Sequence, residues 1–325
     1  MARELRFDLN VATNALLCPN PNEFYSRAYL NKNIEGNFRL LPDVKYKTKI
    51  ANNEFDRVLR ASTCSWDSAN VANSNLDAMD IDVDDVSIMA QICQFDAEKA
   101  FFSNMIQSGS NHSNFTPQMF MTEYWKSLAA KASEETALIM WQGDKALDPA
   151  VTFLAETDGF NKKLLASATA ATADDVVGIT GVAITKANII AEMSKVYQSL
   201  KKTILHKTDD LRWYMAPNVA AAYLEAVAEN NTILYTTMNP DLTWLGRIKI
   251  VIQDGMADNE MVLTRYQNLI YAFDALRDGE DLKAIDLRES VAEPTLRTRA
   301  DLKMGFFLAE KTKNEIVYYS PSVPA

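Results

Sequence analysis

The chain has 325 residues, a formal net charge of −10 at pH 7 and a hydrophobic share of 48%. That length and apolar content predict a globular protein of about two domains. The acidic balance argues against a dedicated nucleic-acid binder, which would present a basic surface. The three cysteines, Cys18, Cys64 and Cys93, include no C-x-x-C pair, so we expect neither a disulfide framework nor a zinc site.

Hydrophobic runs in this sequence are short. None approaches the roughly 18 residues that a membrane span requires, and the N-terminal residues lack the apolar stretch of a secretory signal. We therefore expect a protein that is made in the cytoplasm and does not enter a membrane.

Residues 1–40 form a polar arm that is rich in asparagine and contains Pro19 and Pro21. Both residue types oppose regular secondary structure. The aromatic residues Phe24 and Phe38 are spaced along this arm, so it needs a surface to pack against. Two alternatives are open: the arm packs on a neighbouring subunit, or it packs on its own domain.

Residues 41–78 predict a projecting two-stranded hairpin. Residues 44–50 alternate strictly, which is typical of a strand, and Asn52 and Asn53 predict a turn. One face of the first strand carries Val44, Tyr46, Thr48 and Ile50, and the other carries Lys45, Lys47 and Lys49. A two-stranded ribbon is marginal by itself, so it usually leans on another element.

Residues 79–93 predict a strand with a bulge, and a run of aspartates lies at its start: Asp80, Asp82, Asp84 and Asp85. A calcium loop would need glycine at the sixth position and glutamate at the twelfth. Those positions hold Asp85 and Gln91, so we expect no metal site. The aspartates are then a solvated strand edge or an acidic surface for the lysine face of a neighbouring subunit's hairpin. Two further interpretations of the lysine face stay open: it is a solvated surface, or it binds phosphate groups.

A short helix is expected at residues 96–107, and residues 117–142 then predict one long amphipathic helix, which we call the spine helix. Thr116 can cap its start and Pro117 suits its first position, and Gly143 predicts a left-handed stop. Its length of roughly 39 Å exceeds that of a typical globular helix. Its apolar stripe comprises Phe120, Met121, Tyr124, Trp125, Leu128, Ala132, Thr136, Ile139 and Met140. Such a helix indicates a connection between the parts of an elongated molecule.

Residues 146–284 predict a compact α/β unit. Helices are expected after Thr185 and from Pro217, and strands are expected at residues 211–215, 247–252 and 261–265. Three further strand segments follow between residues 284 and 321.

Catalytic residues are scarce. The only histidines, His112 and His206, fit surface positions, and the sequence contains no G-x-S-x-G elbow and no G-x-G-x-x-G loop. We therefore expect no enzyme activity, no cofactor and no catalytic, cofactor-binding or metal-binding residues.

The order of these parts resembles the major capsid proteins of tailed bacteriophages. The similarity rests on the arm, the hairpin, the spine helix ending in IMWQGD, and three segments of an axial domain: LRWYMAPNVAAAYLEAV, WLGRIKIVIQDGM and MVLTRYQNLIYAFDAL. The final EIVYYSP resembles the closing strand of that family. The resemblance implies an α+β, Hong Kong 97-like capsid fold. It assigns residues 1–40 to the N-terminal arm, 41–78 to the extended loop, 79–145 with 285–325 to the peripheral domain, and 146–284 to the axial domain.

By that resemblance, the chain would assemble with itself through pentamers and hexamers into an icosahedral head around double-stranded DNA. A portal and decoration proteins would complete the virion. Because the arm before the hairpin is short and rich in asparagine and proline, we expect a separate scaffolding protein rather than a fused one. Candidate inter-subunit residues are the lysine face (Lys45, Lys47 and Lys49) and the four aspartates. Two alternatives stay open: an encapsulin-type cargo shell, and a soluble α/β enzyme or ligand-binding protein.

Overall fold

The structure is a computed structural model that describes residues 24, 27–28, 34, 36–55, 74–93, 117–170, 176–202, 204–205, 208–230, 242–244, 247–274, 283–286, 295–309 and 315–324. The helices are α1 (Pro117–Gln142), α2 (Phe160–Thr169), α3 (Ile189–Ser199) and α4 (Pro217–Asn230). The strands up to the third helix are β1 (Arg39–Leu41), β2 (Thr48–Phe55), β3 (Ser74–Ile81), β4 (Asp84–Cys93) and β5 (Val176–Thr180). The later strands are β6 (Leu211–Met215), β7 (Thr243–Trp244), β8 (Ile248–Ile252), β9 (Met261–Arg265), β10 (Leu269–Phe273), β11 (Lys283–Asp286), β12 (Thr295–Leu308) and β13 (Ile316–Ser320).

The first sheet is organised around the long strand β12. Its order is β1-β10-β12-β11, and β4 pairs antiparallel with β12 from Asp84 to Cys93. Alternate side chains of β12 are buried, as a half-buried strand requires: Leu296, Thr298, Ala300, Leu302 and Met304. The spine helix α1 packs on this buried face, where the hydroxyls of Tyr124 and Thr298 lie 2.8 Å apart.

The second sheet contains six strands in the order β5-β13-β9-β6-β8-β7. Strand β13 lies inside it, parallel to β5 and antiparallel to β9. All five residues of β13 are buried, which is typical of a strand covered on both faces. Helices α2 and α3 contact this strand.

The end of the spine helix joins the two sheets. Trp141 is fully buried, packs against Phe160 and Tyr214, and donates a hydrogen bond from its indole nitrogen to Gln253 Oε1 at 3.2 Å. Gly255 approaches so closely that a Cβ there would lie 1.9 Å from the Ala137 carbonyl oxygen. The loop after β8 therefore rests directly on the helix backbone.

The spine helix has the predicted bounds, but the reason for its end differs from the prediction. Gly143 has no positive φ, so the expected left-handed stop is wrong. A Cβ at Gly143 would lie 2.3 Å from the Thr157 carbonyl oxygen, and Gly159 donates its N–H to the Gly143 carbonyl at 2.8 Å. Glycine is needed at position 143 because a returning chain segment crosses there.

The described residues of the N-terminal arm pack against their own chain. Phe24 contacts Trp125 edge to face, with ring centroids 5.6 Å apart, and Phe38 stacks on Phe160. The Tyr214 hydroxyl donates a hydrogen bond to the Asn37 carbonyl. For these residues, the alternative of packing on the arm's own domain is therefore the observed one.

Some expected boundaries differ from the observed ones. Strand β13 lies in the second sheet and β10 lies in the first, while the domain bounds implied by the resemblance stay a prediction. Helix α3 begins at Ile189 after Asn188, not at a Thr185 cap. The helix expected at residues 96–107 lies outside the described residues. Among the helices that the structure does describe, none has the length and hydrophobicity to cross a membrane.

Candidate functional site

The hairpin is formed by β2 and β3. They pair antiparallel from Thr48 opposite Ile81 to Phe55 opposite Ser74, and in the described chain each is the other's only strand partner. The turn expected at Asn52 and Asn53 is wrong, because both residues pair within the ladder. Their low strand propensity is overridden by the cross-strand pairing. Eight residues at about 3.4 Å each give strands of about 27 Å.

A small separate core fixes the base of the hairpin. Ile81 is fully buried there with Val44, against Ile270 and Ala272 of β10. These two β10 residues face away from the main core, because side chains alternate along a strand. The hairpin therefore leaves the first sheet from a rigid base and extends beyond it as a two-stranded ribbon.

Two residues of the lysine face bind one aspartate of the same hairpin. Lys47 Nζ lies 2.8 Å from Asp80 Oδ2, and Lys49 Nζ lies 3.7 Å from Asp80 Oδ1. The hydrogen bond from Lys47 lowers the pKa of the Asp80 carboxyl, and the same bond raises the pKa of Lys47. All three side chains are solvent-exposed, so these bonds contribute little to stability. One predicted role of the lysine face is contact with acidic residues of a neighbouring subunit, whereas Lys47 and Lys49 bind Asp80 within the same hairpin.

Asp84 and Asp85 are engaged at the base of the hairpin. Asp84 accepts hydrogen bonds from Lys145 Nζ at 2.6 Å and from Thr157 Oγ1 at 2.7 Å. Asp85 lies 3.3 Å from Lys303 Nζ. These contacts connect the start of β4 to the segment after the spine helix and to β12. The sequence offered no signal for Lys145 or Thr157, since both act through long-range contacts.

Lys303 also holds the segment that precedes β2, which begins at Thr48 rather than at the predicted residue 44. Its Nζ donates to the Lys45 carbonyl at 2.9 Å and lies 4.3 Å from the centre of the Tyr46 ring. The expected bulge at Asp84 and Asp85 is a break instead: β3 ends at Ile81 and β4 begins at Asp84. Exposed Asp82 lies in this break. Among the described residues, no group of three or more potential ligands could hold a metal ion.

The surface around the hairpin base offers further contact area. A groove of about 540 Å³ lies between β4 and the flank of the spine helix, with Val86, Leu128 and Ile139 among its lining residues. In the described chain, β4 pairs only with β12, so its other edge is open to an added strand. Two large apolar side chains nearby are mostly exposed, Met89 at 72% and Val151 at 82%.

The sequence matches no family model and no curated protein. Its structure is nevertheless similar to phage capsid subunits over most of the chain. One is the Cyanophage A-1(L) capsid, with a TM-score of 0.58 and 11% identity over 99% of this chain and 98% of that chain. Another is the capsid of a native GTA particle, with a TM-score of 0.53 and 13% identity over 90% of each chain.

A third similar structure is the capsid of Myoviridae phage XM1, with a TM-score of 0.52 and 11% identity over 88% of this chain and 90% of that chain. These three capsid chains are similar in fold to the present chain over most of its length. The chain therefore has the Hong Kong 97-like fold of phage major capsid proteins, an α+β fold, as the order of elements in the sequence predicted.

Proposed function

We propose that this chain is a major capsid protein that assembles through pentamers and hexamers into the icosahedral head of a phage. The observation that carries the proposal is the near-complete coverage of both chains in the comparison with the cyanophage capsid. Fold alone does not determine function, but the hairpin adds an independent argument. A ribbon whose strands, among the described residues, pair only with each other is marginal in water, so we propose that a neighbouring subunit covers it.

The hairpin is the proposed contact element. Lys45, Lys47 and Lys49 lie in one short stretch, and Lys47 and Lys49 both bind Asp80. We propose that this stretch lies over an adjacent subunit near acidic residues, and that Asp82, Asp84 and Asp85 contribute to the acidic side of such contacts. Each exposed pair contributes at most about 1 kcal/mol, but the contact repeats around every ring. Heterologous contacts of this kind close into rings.

The remaining partners follow from the same role. We propose a separate scaffolding protein that guides assembly, with a portal and decoration proteins in the finished virion. We propose that the packaged double-stranded DNA is enclosed with few contacts to the chain and no specific ones. Even non-specific DNA binding requires basic residues that release counterions, and this chain carries 33 basic against 43 acidic residues. The role is structural rather than catalytic, and the protein would be made in the bacterial cytoplasm and act in the virion.

Negative-stain microscopy and sedimentation of the chain, expressed with and without its scaffolding protein, test the proposal. We expect uniform closed particles with the scaffold, and aberrant sheets, tubes or free capsomers without it. A single small oligomer under all concentrations and salts would refute a capsid role. Particles that contain an enzyme instead of DNA after phage infection would indicate a cargo shell.

A charge-reversal variant tests the hairpin. The substitutions Lys45→Glu, Lys47→Glu and Lys49→Glu should impair assembly. The free energy of unfolding of the isolated chain should change by no more than about 1 kcal/mol. The matched control reverses Lys126 and Lys131, which are exposed on the spine helix and paired with glutamates in the same way. If the hairpin variant assembles as well as the control, the lysine face is only a solvated surface.

A further inference from the structure

A buried glutamate lies where the second sheet meets helix α2. Glu260 directly precedes β9 and is only 4% exposed. Its Oε1 accepts hydrogen bonds from the Tyr318 hydroxyl at 2.7 Å and from Ser320 Oγ at 2.8 Å. Its Oε2 lies 2.5 Å from the side-chain amide of Asn161. All three partners are neutral, and a buried carboxylate without a cation is costly.

The Asn161 side chain, as placed, leaves its buried amide oxygen, Oδ1, without a hydrogen-bond partner among the described residues. The oxygen and nitrogen of an asparagine amide are interchangeable in their placement. Turning the amide over places this acceptor against Glu260 Oε2, where a carboxylic acid O–H would satisfy it.

We propose that Glu260 remains a neutral carboxylic acid in the folded chain and donates a hydrogen bond to Asn161. This bond connects the start of β9 with α2, and the bonds from Tyr318 and Ser320 connect it with β13. The proposal concerns the folded subunit and does not depend on shell assembly. The Glu260 carboxyl would donate from Oε2 while its Oε1 continues to accept from Tyr318 and Ser320.

The surrounding charges agree with a neutral Glu260. Burial raises its pKa, against the opposing effect of hydrogen bonds from Tyr318, Ser320, the Asn161 amide and the Ala257 N–H. Turning the Asn161 amide over removes one of these opposing bonds, because Asn161 then accepts from the neutral acid. On β13, burial also raises the pKa of the Tyr318 hydroxyl, so Tyr318 remains a donor at neutral pH. On β9 and β13, Met261, Val262 and Val317 are buried and apolar, and burial raises the pKa of the Tyr319 hydroxyl, so that group stays neutral as well.

The nearest cations in sequence are committed elsewhere. Lys162 Nζ binds Asp144 and Asp158 at 2.6 and 2.7 Å, and Lys163 donates to the Phe306 carbonyl. In the loop before Glu260, Asp258 adds a further negative charge. On α3, Lys195 is paired with Glu192 of the same helix. Within the described chain, none of these charged groups forms an ion pair with Glu260.

A neutral Glu260 makes the folded chain less stable as the pH rises. A carboxyl whose pKa is raised in the fold is protonated in both states below its ordinary value of 4.5. Above that value the unfolded chain loses the proton first, so stability falls as the pH rises toward the folded pKa. Across that interval the folding equilibrium constant falls by up to about tenfold per pH unit. The junction of α2 with the second sheet should loosen when the proton is removed.

Infrared spectra of the full chain labelled with ¹³C-glutamate test the proposal. At pH 6.5 the folded wild type should show a carboxylic-acid carbonyl band from one glutamate, and Glu260→Gln should lack it. The control Glu123→Gln, at an exposed spine-helix residue paired with Lys126, should keep the band. A folded wild type without that band at pH 6.5 overturns the proposal, even if the variant fails to fold.

Unfolding measurements give a second readout. Glutamine reproduces the pattern of the neutral acid, with an oxygen that accepts and an N–H₂ that donates to Asn161. The unfolding midpoint of Glu260→Gln should therefore fall less than that of the wild type between pH 5 and pH 8. If both midpoints change in parallel over this interval, Glu260 titrates normally and the proposal is wrong.

Discussion

Replacement of Lys163 by methionine should alter how stability depends on pH. Lys163, on α2, donates to the Phe306 carbonyl and lies 4.1 Å from the centre of the Phe307 ring. Burial lowers the pKa of this amine from 10.5 to about 8. Methionine keeps a long unbranched side chain in the same space but has no amine to titrate.

The magnitude follows from the two pKa values. Below about pH 8 the amine is charged in both the folded and unfolded chains, and its full desolvation cost is present. As the pH rises above 8, the folded chain releases the proton while the unfolded chain keeps it, so stability increases. One pH unit corresponds to about 1.4 kcal/mol, so the wild type should gain about 2 kcal/mol relative to Lys163→Met between pH 8 and pH 9.5.

Urea denaturation followed by tryptophan fluorescence, at several pH values from 7 to 9.5, measures this difference. The control Lys126→Met removes an exposed lysine of the spine helix and should give a nearly constant difference from the wild type. If the difference between wild type and Lys163→Met is also constant across this range, the amine is not desolvated and the reasoning is refuted.

Three further substitutions test how the spine helix is held. Gly255→Ala should destabilise the chain by about 1–3 kcal/mol or more through overpacking, since its Cβ would overlap the Ala137 carbonyl; an unchanged urea midpoint would contradict the contact. Trp141→Ala should lower the free energy of unfolding by about 3–5 kcal/mol, measured in the same way. A loss below about 1 kcal/mol would show that the packing of Trp141 on Phe160 and Tyr214 is not part of the stabilising core. Gly143→Ala should destabilise the chain although Gly143 lacks a positive φ, because its Cβ would overlap the Thr157 carbonyl; wild-type stability of this variant would contradict the close crossing of the returning segment.

The elements with strong local signals were predictable from the sequence. The spine helix has the predicted bounds of Pro117–Gln142, because its apolar period and its N-terminal proline are local features. Gly143 ends it for a reason that the sequence does not show, the close crossing of the segment around Thr157. The strand Leu211–Met215 and the helix that begins at Pro217 agree as well. The order of these elements was enough to indicate the capsid fold.

Features set by distant residues were not predictable. The second-sheet position of β13 depends on pairing with β5 and β9, and nothing within its five residues distinguishes the two sheets. Asn52 and Asn53 favour a turn locally, but opposing residues of β3 hold them in a strand. The lysine face was recognised as a unit, yet its pairing with Asp80 required the hairpin register, which the sequence does not define.

The central position of the last strands bears on when the molecule can fold during synthesis. Ala90 of β4 lies next to Thr298 of β12, 208 residues later in the chain, and β13 is the inner partner of β5. Neither sheet can close until the ribosome has released almost the whole polypeptide. Long-range pairing of this kind slows folding. Nascent subunits on one messenger RNA would thus remain unable to associate through finished sheets, and assembly would begin only among released chains.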